Sequence, residues 1–229
     1  MRIGLGPIPL ATTSRARLEE LAAAAVAASF DAIWVAEERE RGAGGGMAAA
    51  AMLAQVGPIR VGAVLDIAGY HPLYAAEDIA VADIASNGRI EVVLRGGTEE
   101  QVELLLEALS GAHLQFDGAQ LRVPARLDAN QPAPQSLAVN PPPAQPAVPT
   151  WTHGVDAVEW PASVPASVGP WPPIVMCPAG AAPNDLLRAA GGRAVYFLIA
   201  AHSPEEVAEA GRRLVGPLRM PEFPDWVNA

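Results

Sequence analysis

The 229 residues, half of them apolar, suffice for one sizeable core but not for two full domains, so a single domain over 1–229 is expected. Fifteen cationic side chains, all arginine and without basic runs, stand against 25 acidic ones, and the formal charge of −10 speaks against nucleic acid and anionic membranes as partners. No stretch offers the roughly 18 uninterrupted apolar residues of a membrane span, Met1 to Gly4 leads straight into a strand instead of a signal peptide, and the single cysteine, Cys177, excludes an intrachain disulfide or a Cys-rich metal site; a cytoplasmic protein is expected.

Arg2 to Leu5 reads as a short apolar strand. Ser14 then caps a helix to about Ser29, with Leu18, Leu21, Ala22, Ala25 and Val26 on one face. Residues 31–36 form a second buried strand, and a small-residue helix runs from about Met47 to Val56, too smooth for an ordinary surface and suited to barrel packing or a subunit interface. Ile59 to Leu65 is the third strand, Pro72 to about Ser86 the third helix, Ile90 to Leu94 the fourth strand and Glu99 to Leu109 the fourth helix. Strand and helix alternate throughout this half, which indicates parallel strands joined by right-handed crossovers.

The second half is less regular. Fifteen of the 23 prolines lie between Pro124 and Pro183, and proline neither donates to a sheet ladder nor continues a helix, so this region is expected to be mostly extended loop. Residues 148–152 and 173–177 are short strands within it, and Trp151, Trp160 and Trp171 supply apolar area that disordered tracts lack. Ala194 to Ala200 is a further apolar strand, and Ser203-Pro204-Glu205-Glu206 opens a helix to about Leu214. Seven or eight strands result, which suits a short or incomplete barrel better than an open nucleotide-binding sheet.

The order of these motifs resembles the bacterial luciferase-like family of flavin-dependent monooxygenases and deazaflavin-dependent oxidoreductases. Phe30 to Glu37 is similar to that family's second strand, Val61 to Leu65 to its third, Tyr70-His71-Pro72 to the following turn, Asp83 to Arg89 to the end of its third helix, and Leu94-Arg95-Gly96 to the arginine-glycine step after its fourth strand. The likeness covers residues 1–97 well and, through Phe116-Asp117-Gly118 and the stretch Pro142 to Pro149, extends faintly to about residue 154. The resemblance implies a TIM-like (β/α)8 barrel, shortened or partly irregular in its second half. It also implies reduced FMN, or the deazaflavin coenzyme F420, at the C-terminal ends of the strands, a small organic substrate, and a homodimer or a heterodimer with a longer homologue. Carried over residue by residue, it puts Arg95, between Leu94 and Gly96, against the cofactor's phosphate, and the Ala63–Val64 peptide, cis in many relatives, under the isoalloxazine ring.

The chain departs from the family pattern where Glu37 is followed by Glu38 instead of histidine, and where Trp151-Thr152-His153-Gly154 replaces a Gly-Ser-Ser-like phosphate turn. A second reading therefore stands beside the first: a catalytically degenerate relative, with or without bound flavin, that serves as a partner subunit. Individual residues carry two readings as well. Arg95 beside two glycines offers a cation and approachable backbone N–H groups to an anion, or pairs at the surface with Glu99 or Glu100. Glu37 and Glu38 serve as acid and base at the barrel mouth, or form a solvated cluster with Arg39 and Arg41. His71, held extended by Pro72, is structural or lies at the active-site rim, and His153 is a candidate for the missing imidazole. No metal-ligand spacing occurs, so no metal is expected.

Overall fold

A computed structural model describes residues 1–37, 45–124, 137–153 and 166–218. In chain order the elements are β1 (Arg2–Pro9), α1 (Arg15–Ala27), β2 (Ala32–Ala36), α2 (Gly45–Leu53), β3 (Arg60–Asp66), α3 (Pro72–Ala85), β4 (Ile90–Arg95), α4 (Glu99–Leu109), the short strands β5 (Phe116–Asp117) and β6 (Arg122–Val123), then β7 (Thr150–His153), β8 (Ala166–Ser167), β9 (Ile174–Pro178), α5 (Pro183–Ala190), β10 (Tyr196–Ala200) and α6 (Pro204–Ala210). The last helix continues through a π-helical turn over Gly211–Val215 into α7 (Gly216–Leu218).

Seven strands pair in parallel in the order β7-β4-β3-β2-β1-β10-β9, and β8 adds antiparallel to β7. The sheet curls. β7 and β10 lie five places apart in it, roughly 24 Å if it were flat, yet the Trp151 and Tyr196 rings they carry have centroids 6.3 Å apart. Among the described residues no strand joins β9 to β8, so the chain forms a curled half-barrel: the expected β/α barrel in its shortened form, without the eighth parallel strand.

Strand alternation divides the apolar residues into two layers. Side chains on the outer face, among them Ile33, Val61, Val92 and Phe197, pack under α1, α2, α3 and α4. Ala32, Trp34, Val64, Val93, Trp151, Tyr196 and Leu198 line the inner face. Trp34 and Trp151 meet edge to face with centroids 5.9 Å apart, as do Trp34 and Tyr196. A methyl group at position 62 would overlap the Trp34 indole, so only glycine there lets the ring cross the interior.

At the N-terminal end of the strands this apolar filling meets a buried carboxylate. Glu91 has no exposed surface. Its Oε1 accepts from Arg2 at 3.0 Å and from Arg60 at 2.5 Å, and its Oε2 accepts from the Tyr196 hydroxyl at 2.9 Å, which in turn accepts from Trp34 Nε1 at 2.9 Å. Arg60 also donates to Gln145, whose amide nitrogen donates to buried Asp83 at 2.7 Å, so the network reaches α3 and the segment after residue 137. Arg89 acts as a clasp beneath it, donating to the carbonyls of Ala54, Gly57, Ile59 and Ser86.

Departures from the sequence expectations have local causes. β1 runs on to Pro9, because its ladder with β2 resumes at Ile8 after a register shift. The helix α5 lies at the end of the proline-rich region: Pro183 takes the first-turn position where its missing N–H costs nothing, and Gly191 ends the helix in the left-handed conformation. The expected helix from Ser203 to Leu214 does start at a Ser203 cap but widens into the π turn at Gly211. The Ala63–Val64 peptide is trans, not cis. Both residues pair in register with β2 on one side and β4 on the other, a regular double ladder. No described helix is long and apolar enough to cross a membrane.

Removing the Glu91 carboxylate strands two guanidinium groups and the Tyr196 hydroxyl. Glu91→Ala is expected to lower the unfolding free energy by about 3 kcal/mol or more, and Tyr196→Phe by about 1–2 kcal/mol. Urea titrations check this, and equal losses in the two variants would show that the buried charge is not what holds this end of the sheet.

Candidate functional site

The C-terminal ends of β2, β3 and β4 form the barrel mouth. Inward-facing positions step along each strand in twos, so Ala36, Val64 and Val93 lie side by side across the sheet, and one step nearer the mouth Asp66 pairs with Arg95. The register continues from Arg95 to His153 on β7. Beneath Asp66 and Arg95 the floor is apolar: Val64 and Val93 are fully buried.

Arg95 does not point into bulk solvent. Its side chain is 13% exposed, its terminal nitrogen donates to the Glu37 carbonyl at 2.7 Å, and its Nε lies 3.5 Å from Asp66 Oδ2. That last approach is an ion pair without a hydrogen bond, and Nε is buried with no hydrogen-bond acceptor. The other Asp66 oxygen accepts from the Ala68 amide at 3.2 Å, which turns the chain out of β3. Gly96 follows at φ +78°, the left-handed region, and a Cβ there would lie 3.0 Å from Asp66 Oδ1.

Glu37 is buried at the end of β2, and its Oε1 accepts from the Gly46 amide at 2.5 Å. The carboxylate therefore sits at the positive N-terminal end of α2 and fixes that helix against the sheet. Tyr70, in the loop after β3, donates its hydroxyl to Asp78 on α3. Glu37, Asp66, Tyr70 and Asp78 line an internal cavity of about 10 Å³, the size of a single water. Burial pushes the Tyr70 phenol well above the usual tyrosine range, reinforced by the hydrogen bond to Asp78 and by the negative charges of Asp78, Glu37 and Glu77.

The structure sorts the expected site residues. Arg95, Gly96, Val64 and Glu37 converge on the mouth. Ala63 and Leu94 do not present their side chains there: alternation turns both into the outer layer beneath the helices, so only their backbone borders the inner face. His71 is exposed, and its Nδ1 accepts from the Leu73 amide at 3.3 Å as the N-cap of α3, which is the structural reading of that residue. Glu38 lies outside the described residues, as do Arg39, Arg41 and Trp160. The surface pairing of Arg95 with Glu99 or Glu100 is replaced by Asp66, and Glu100 instead accepts from the amides of Gln120 and Leu121 between β5 and β6. Asp66 and Asp78 were not foreseen at the mouth. For Asp66 the signal was its parity with Val64 on the third strand. Among the described residues no group of His, Cys, Asp or Glu is arranged to hold a metal ion.

In complete β/α barrels ligands bind at the C-terminal ends of the strands, and that is the end at which Arg95 turns inward here. Residues 2–97 match the family described as luciferase-like monooxygenase, so the part of the chain that builds the mouth carries that family's sequence pattern. No curated protein sequence matches the chain. Among solved structures, the monooxygenase RslO1 from Streptomyces bottropensis is 15% identical at a TM-score of 0.52, aligned over 85% of this chain and 59% of its own. The coenzyme F420 dependent tetrahydromethanopterin reductase from Methanopyrus kandleri is 16% identical at 0.52, over 94% of this chain and 63% of its own. A riboflavin lyase, RcaE, with modified FMN and riboflavin is 14% identical at 0.53, over 87% and 62%. These likenesses show a shared β/α barrel fold, and this chain spans less than two thirds of each of those structures.

The two tyrosines give the fold an alkaline limit. Tyr196, also pushed well up by burial and then by the Glu91 charge, and Tyr70 both keep their protons in the folded state after an unfolded tyrosine ionises near pH 10. Because the folded value is the raised one, the stabilisation is complete below about pH 10 and is lost as pH rises through the folded values. The urea midpoint is expected to fall above about pH 10, and less steeply in Tyr70→Phe. A midpoint independent of pH in that range would contradict the burial of both hydroxyls.

Proposed function

We propose that this chain is a flavin- or deazaflavin-dependent oxidoreductase of the luciferase-like class, a monooxygenase or a related enzyme acting on a small organic substrate. FMN is the first choice of cofactor and coenzyme F420 the alternative. The observation that carries the reading is Arg95: an inward-turned guanidinium with an unsatisfied buried N–H, at the C-terminal rim of strands whose sequence matches the family. The residues suit such a group, since an oxygen of the cofactor would supply the acceptor that Nε lacks and Val64 and Val93 give an apolar floor.

When bound, a reduced flavin or deazaflavin supplies the electron chemistry itself. The work left to this chain is binding, orientation and exclusion of water. Arg95 holds an anionic or carbonyl oxygen. Val64 and Val93 keep the floor dry, which strengthens every charge interaction above them. Tyr70 keeps a proton on its hydroxyl oxygen, with Asp78 as acceptor and Glu37 across the same small cavity. His71 orients this loop as the cap of α3.

As compartment we propose the cytoplasm, in keeping with the absence of a membrane-spanning helix among the described residues. As partner we propose a second copy of this chain or a longer homologue, supported by Tyr74, Val81 and Ile84, which are exposed along one side of α3.

Titration of the purified protein with FMN, riboflavin and coenzyme F420, followed by fluorescence, tests the function. FMN or coenzyme F420 is expected to bind, and Arg95→Gln to weaken that binding by about tenfold or more. A protein that binds none of the three sinks the reading.

A further inference from the structure

The Arg95–Asp66 pair has features that a permanent structural ion pair lacks. A good charge-assisted hydrogen bond between nitrogen and carboxylate spans about 2.7–2.9 Å, whereas Arg95 Nε lies 3.5 Å from Asp66 Oδ2 without a hydrogen bond. Both side chains are nearly withdrawn from water, at 13% and 14% exposure, so the charge of each offsets part of the other's desolvation. Asp66 also has a second attachment: its Oδ1 is held by the Ala68 amide, so the carboxylate keeps a partner if it leaves Arg95. The backbone of Gly96, packed close to that same oxygen, leaves room for a small shift that any side chain at position 96 would block.

We propose that Asp66 is a displaceable counter-ion: it neutralises Arg95 until a phosphate or carboxylate group of a ligand takes its place, while its Oδ1 stays on the Ala68 amide at the start of the loop from Ile67 to His71. The inference rests on the reading of Arg95 as the anion contact and adds what the pair does before and after binding. Asp66 opens the turn into this loop, Tyr70 closes it by donating to the Ile67 carbonyl, and Tyr70 and His71 are the residues it delivers to the mouth and to the α3 cap. An arriving anion gains the guanidinium and releases only the Asp66 oxygen that faced it, and the loop keeps its anchor at Ala68. Ligands without an anionic group leave Asp66 in place.

The test uses the full chain at constant ionic strength, titrated calorimetrically with inorganic phosphate and, separately, with acetate, in wild type, Asp66→Asn and Arg95→Gln. Asparagine keeps the Oδ1 acceptor for Ala68 and removes the competing charge. Asp66→Asn is expected to bind phosphate about fivefold tighter than wild type, and Arg95→Gln to lose the binding. Tighter binding of acetate but not phosphate would assign the seat to a substrate carboxylate and the reverse to a cofactor phosphate, and either supports displacement. Equal affinity in wild type and Asp66→Asn, with loss in Arg95→Gln, overturns the counter-ion role while Arg95 keeps its anion. No binding to any of the three proteins overturns both. If Asp66→Asn fails to fold by circular dichroism, Asp66→Ser is read in its place.

Discussion

A single carboxylate, that of Glu91, is shared by two arginines and a tyrosine at the base of the half-barrel, and the tyrosine is held by the Trp34 indole. A charge with no exposed surface is costly unless it is both paired and hydrogen-bonded. Glu91 is both, and its partners come from β1, β3 and β10. The network thereby ties together strands that the chain visits far apart in sequence, and it sets the side-to-side order on which the curl depends. Above it, the aromatic rings of β2, β7 and β10 meet across the interior, a contact that a flat sheet could not make. The mouth inherits its geometry from this base: the strands that are locked at their N-terminal ends deliver Asp66 and Arg95 in register at the other.

The two ends therefore divide the labour of the fold. The base is satisfied, with every Glu91 oxygen engaged and Arg89 clasping four carbonyls. The mouth differs: it holds a guanidinium N–H without an acceptor, beside a water-sized space lined by three carboxylates and a tyrosine whose proton is held tightly. In β/α barrels, well-satisfied polar groups at the bottom face generally serve stability, whereas chemistry gathers at the top. In this half-barrel the satisfied network lies at the bottom face and the unsatisfied guanidinium N–H at the top.

Much of this was legible in the sequence because apolar strands buried on both faces read as continuous runs, and the first four helices start or pack where caps and periodicity put them. Ser14 and Ser203 cap as their residue types suggest. Arg95 was legible as a residue of the mouth through its place at a strand end. The outward turn of the Ala63 and Leu94 side chains was not legible, since a strand with apolar residues on both faces hides which side chains look inward; the structure supplies that parity through Trp34 and Gly62. Glu91 could have been noticed as a lone charge inside an apolar strand, but its partners Arg2, Arg60 and Tyr196 are set by sheet order, which no local pattern encodes. The helix after Pro183 was obscured by the prolines before it.

Glu37 shows how closely the frame and the mouth are joined. Its carboxylate anchors the start of α2, its carbonyl receives Arg95, and its amide continues the ladder with β3. A residue so placed cannot be exchanged without unseating a helix, so sequence change at this rim is better borne by neighbours that carry less of the scaffold. The loop that bears Tyr70 is such a neighbour, and variation there can reshape the surface of the mouth while the architecture beneath stays intact.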